Sequence, residues 1–163
     1  LDLLDPGTGA GVNSRVDWSS PRTSRSSRGR VRPCGYWLSA NASAAVERLR
    51  QLGIQVMKVA EPGSVLAESY RETAREAGNR QDVIGTIAGG GDIVRVQVST
   101  LRSAIDAPAG SFYVPLNQPR ANLAVAALEP DTQNSYFANR LIQELGQSAR
   151  VMAVPSLVFE ETD

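Results

Sequence analysis

The chain has 163 residues, enough for one domain that buries a core without staples. Seventeen basic and seventeen acidic side chains cancel, so no net field draws it toward nucleic acid or a membrane surface. Histidine is absent and cysteine occurs once, which excludes Ser-His-Asp and Cys-His catalysis, histidine-containing zinc sites and any intrachain disulfide.

In chain order, the first thirty residues are poor in core-forming pattern. Asp5 to Gly11 is turn chemistry. Arg15-Val16-Asp17-Trp18 predicts a short strand, and the polar run Ser19 to Arg30 predicts a mobile loop, because it cannot bury enough apolar area to offset its ordering entropy. Residues 1–30 are therefore expected to be a flexible segment and 31–163 a single α+β or α/β domain.

Arg32-Pro33-Cys34-Gly35-Tyr36-Trp37-Leu38 predicts a buried strand, with Cys34 as a small apolar residue. A helix follows, capped by Asn41 or Ser43, with Ala45, Val46, Leu49 and Leu52 on one face and Gly53 closing it. Ile54 to Val59 alternates as a strand. Residues 31–59 are thus expected to form a parallel strand–helix–strand unit.

Val65 to Glu72 reads as a strand that frays toward Gly78-Asn79, although the Glu- and Arg-rich stretch to Ala77 also suits a helix. Ala88 to Gly91 is a loop without the Lys-Ser/Thr of a phosphate-binding loop. Ile93 to Ser99 alternates most clearly, with Val94, Val96 and Val98 on one side. After the turn Pro108-Ala109-Gly110, Ser111 to Pro115 is a strand. Two C-terminal helices complete the expected mixed sheet. One is entered at Asn117-Gln118-Pro119 and stopped by Glu129-Pro130. The other is capped by Asp131 and buries Phe137, Ala138, Leu141, Ile142 and Leu145. The apolar tail Val151 to Phe159 has no evident intrachain partner.

Two stretches carry a resemblance. Arg32 to Leu38, with the helix ending Leu49-Arg50-Gln51-Leu52-Gly53-Ile54, is similar to the region behind the catalytic domain of bacterial zinc carboxypeptidases. Pro108-Ala109-Gly110-Ser111-Phe112-Tyr113-Val114-Pro115-Leu116-Asn117-Gln118-Pro119, followed by Leu123 to Leu128-Glu129-Pro130, resembles the same proteins, and the likeness spans roughly residues 30 to 145. Those peptidases hold zinc with a His-x-x-Glu pair and a distant His, and use a further Glu as base. The chain has no histidine, so the resemblance implies an accessory C-terminal domain without catalytic or metal residues, zinc being expected only in the peptidase domain. Ser156 to Glu160 looks like the family's catalytic-Glu strand, but it follows the accessory stretches, so its order is wrong.

The implied partners are the peptidase domain of the same polypeptide and a peptide or cell-wall substrate, in a bacterial periplasmic or secreted setting. Tyr36, Trp37, Tyr113, Asn117, Gln118 and Glu129 are the candidate binding residues. The alternative is an anionic-polymer module using Arg22, Arg25, Arg28, Arg30 and Arg32, against which the zero net charge and the lack of interleaved aromatics both argue.

Overall fold

The computed structural model describes residues 2–13, 29–82, 85–86 and 92–161. The predicted strand Arg15–Trp18, most of the arginine-rich run and the Ala88–Gly91 loop lie outside these. The chain divides into two units, Leu1–Val31 and Arg32–Asp163.

In the first unit, β1 (Asp2–Leu4) and β2 (Gly11–Asn13) form an antiparallel pair. Asp5 makes the connection: its Oδ1 accepts from the N–H groups of Gly7 (2.8 Å) and Thr8 (3.0 Å). Those bonds hold its carboxyl below the ordinary aspartate range.

The second unit contains β3 (Gly35–Leu38), α1 (Ser43–Gln51), β4 (Met57–Lys58), β5 (Gly63–Asn79), β6 (Gln81–Asp82), β7 (Gly85–Thr86), β8 (Asp92–Ala107), β9 (Phe112–Pro115), α2 (Ala121–Leu128) and β10 (Ser148–Val151). α1 ends as its residues require. Gly53 sits at φ +73°, its N–H bonds Arg50 O, and Ile54 N–H reaches back to Leu49 O (3.0 Å). Neither Asn41 nor Ser43 caps the start: a single 3₁₀ turn, Ala40–Ala42, leads in, and Ala42 takes the cap position.

Six strands form one antiparallel sheet in the order β4-β9-β3-β10-β5-β8. β3 and β4 each run antiparallel to β9, so they share a direction, but β9 lies between them. β9 and β10 flank β3 in the same way. Two split β-α-β units thus interleave in the ferredoxin-like manner, and the β5–β8 hairpin extends the sheet beyond β10. The fold is broadly α+β. The parallel strand–helix–strand unit expected over residues 31–59 forms as β3-α1-β4, with β9 inserted between its two strands. β9 is buried along its whole length and takes an inner position, whereas the two-residue, half-exposed β4 stays at the edge.

α1 and α2 cover one face of the sheet, where Tyr36, Leu38, Leu49, Val114 and Leu128 share the main core. The opposite face carries Trp37, Tyr113, Ala149, Val151 and Val65. Here the tail corrects a sequence expectation. Leu157 and Phe159 pack on this face, and Ala60 N–H to Val158 O and Glu160 N–H to Lys58 O tie the tail beside β4. The apolar tail has its partner within the chain.

Two further expectations change. Residues 63–79 form one long strand, because pairing with β8 across its full length outweighs the helical propensity of Arg71–Ala77. The register shifts between Glu72 and Ala74, a bulge that bends the ribbon and lets Arg75 stack over the Phe137 ring at 5.5 Å. The second C-terminal helix is absent, so the expected pair of helices reduces to α2. Polar side chains there take the backbone groups a helix would use: Ser135 Oγ accepts from Ala138 N–H, and Asn139 Nδ2 donates to Gln133 O and Ser135 O. Arg140 at φ +61° then turns the chain. Phe137, Ala138 and Ile142 are still buried, from turns instead of a helix.

Gly35 marks a close approach. A methyl group there would meet the Tyr113 ring and hydroxyl at 2.5–2.6 Å. Gly35→Ala is expected to cost about 1–3 kcal/mol by overpacking, read as a lower urea midpoint at unchanged m value.

Candidate functional site

The six candidate residues fall at two places on opposite faces of the sheet. The first is a buried charged row under the helices. Register sets Arg150 of β10 directly opposite Tyr36 of β3 on one side and Glu68 of β5 on the other. The Arg150 side chain is only 3% exposed. Its Nε donates to Glu129 Oε1 (2.9 Å) and its Nη1 to Glu68 Oε2. Tyr36 Oη donates to the same Glu129 oxygen at 2.8 Å. Glu129 arrives from the end of α2, where Pro130 stops the helix.

Burial, reinforced by the Glu129 charge, pushes the Tyr36 hydroxyl far above the ordinary tyrosine range. Burial alone would lower the Arg150 pKa, but the neighbouring Glu129, Tyr70 and Glu68 raise it. This row holds its protons tightly and lies beneath the helices. Its chemistry is to fix β3, β10, β5 and α2 in one register.

The second place is a groove of about 550 Å³ on the other face. Arg32, Cys34, Met57, Tyr113, Asn117 and Phe159 are among the residues lining it. Tyr113 forms its floor: the ring stacks on Phe159 (centroids 5.8 Å apart) and Oη donates to Cys34 O at 3.3 Å. Burial pushes the Tyr113 hydroxyl up to about 12. Asn117 is exposed at the groove. Trp37 is half-buried beside Tyr113 on this face, paired across β3 and β9. Gln118 is a clamp: it accepts from Gln55 N–H (2.6 Å) and donates to Gln55 O and Pro115 O, joining the end of β9 to the loop after α1.

Sequence reasoning named Tyr36 and Glu129 without seeing that they meet, and it missed Arg150 and Glu68, which no local pattern links to them. Arg32 of the alternative reading donates to Leu116 O at 3.2 Å, while Arg22, Arg25 and Arg28 lie outside the described residues. Glu160 forms an ion pair with Lys58 at 2.7 Å. Among the described residues, no three His, Cys, Asp or Glu side chains gather as a metal site, and no helix is long and apolar enough to cross a membrane.

The tyrosines make a pH prediction. The fold keeps Tyr36 and Tyr113 protonated beyond the pH of about 10 at which an unfolded tyrosine ionises. Above that pH the unfolded state binds fewer protons, so stability falls as pH rises, by at most about 1.4 kcal/mol per pH unit for each tyrosine. Urea unfolding should show no tyrosine-linked loss below about pH 10 and a steep loss above it. Tyr36→Phe should reduce that slope.

Compared with known protein families, with curated proteins and with solved structures, the chain finds no match in any of the three.

Proposed function

We propose that this chain is a non-catalytic accessory domain of a zinc carboxypeptidase-like polypeptide, and that it acts by packing its groove face against the peptidase domain. One observation carries the reading. The two stretches that look like the family's accessory region, Arg32–Leu38 and Pro108–Pro119, are far apart in sequence yet contain the neighbouring strands β3 and β9. Their residues Arg32, Cys34, Tyr113 and Asn117 line one groove. A shallow surface of aromatic, aliphatic and few charged groups suits a protein or peptide partner better than a polyanion. Direct contact with the peptide or cell-wall substrate is the variant of this reading in which the same groove takes the substrate chain.

The purified chain should neither cleave C-terminal residues from peptides nor take up stoichiometric zinc at sub-micromolar affinity. Elemental analysis and calorimetry check the zinc, and tight one-to-one binding would overturn the reading. Binding of the peptidase domain, followed by calorimetry, should weaken at least tenfold in Met57→Arg, which puts a charge into the groove from a half-buried position. Unchanged binding in a folded variant would move the interface elsewhere.

A further inference from the structure

β8 ends the sheet, and among the described residues no strand pairs with its outer edge. Such an edge presents a row of backbone donors and acceptors ready to template another strand. Two of the usual defences are missing, since Asp92–Ala107 contains no proline and no lysine, and Ser99 to Ala104 are all exposed, with Leu101 at 60%. The direction of the free groups follows from the ladder. Gln97 O turns inward, where Thr73 Oγ1 of β5 donates to it, and Val94 N–H turns outward to Ala138 O. Alternation then points the backbone groups of Thr100, Arg102, Ala104 and Asp106 outward.

We propose that β8 pairs antiparallel with β8 of a second copy of this chain, about a two-fold axis through Ala104. This register sets Arg102 of one copy opposite Asp106 of the other, twice by symmetry. Among the described residues neither side chain has a hydrogen-bond or ion-pair partner, and both are exposed. Centring the pair on residue 102 or 106 instead would place like charges face to face. On the groove face the same register sets Leu101 level with the buried Ala107 and Ser103 opposite Ile105. Pro108, which has no N–H, ends the ladder. The result is one continuous sheet through two copies, joined by a small interface of the weak, reversible kind.

Sedimentation velocity over a series from micromolar to millimolar protein tests this. Wild type should show a reversible monomer–dimer equilibrium. Ala104→Pro removes an outward N–H that β5 does not use, so the fold should hold while the dimer is lost. Arg102→Glu and Asp106→Arg should each weaken association roughly tenfold, since each sets like charges opposite one another at two places. The double exchange Arg102→Glu with Asp106→Arg should restore it, which a merely unfolded variant cannot do. A wild type that stays monomeric throughout overturns the proposal and leaves the edge to a strand of another protein. A dimer indifferent to Ala104→Pro, or charge variants not rescued by the exchange, equally overturns it.

Discussion

Arg150→Met is expected to destabilise the second unit by about 3–5 kcal/mol, the usual result of removing one partner from a buried ion pair. Arg150 bridges Glu129 and Glu68, and its side chain is 3% exposed. Without it both carboxylates lose the cation they share under the helices, and the Tyr36 hydroxyl is left with a Glu129 that Arg150 no longer offsets. The loss comes from that stranded charge more than from the intrinsic worth of the pairs, because desolvation cancels much of what buried ion pairs gain. Replacing Glu129 and Glu68 by leucine in the same variant should therefore recover most of the stability. Chemical denaturation of the single and triple variants measures both effects. A near-neutral Arg150→Met would mean that water reaches the row and screens it.

Leu49→Ala should cost about 2–5 kcal/mol, since it empties a fully buried site where α1 meets the sheet. The expected loss has a second source: Leu49 O accepts Ile54 N–H in the turn closed by Gly53, so a sagging α1 also loosens its stop. Leu141, half-buried on the turn segment, should give a smaller loss than Leu49 in the same substitution. Equal losses would show that residue 141 packs as deeply as a helical residue would.

What could be read in advance depended on whether a signal was local. Gly53 closed α1 where its left-handed φ made it the natural stop, and the alternation of Val94, Val96 and Val98 marked β8 correctly. Phe137, Ala138, Leu141 and Ile142 have helical spacing and are buried or half-buried, yet they sit on turns. Spacing reports which side chains face the core; it does not reveal that Ser135 and Asn139 will take the backbone bonds of the helix. The order of strands was out of reach, because β9 enters between β3 and β4 from far along the chain. The charged row was invisible for the same reason: Arg150 and Glu68 meet only once β10 has been laid between β3 and β5. Gln118 was placed at a helix entry, and the structure adds its clamp on Gln55.

The most direct test of the accessory-domain account is the thermal melting of the peptidase domain that the proposal places in the same polypeptide, measured alone and joined to this chain. A domain that binds only the folded state of its neighbour raises that neighbour's apparent stability by linkage. The account predicts a higher melting temperature in the joined form, lost again with Met57→Arg, while the zinc content of the peptidase domain is the same in both. Identical melting, solubility and turnover with and without this chain would contradict it.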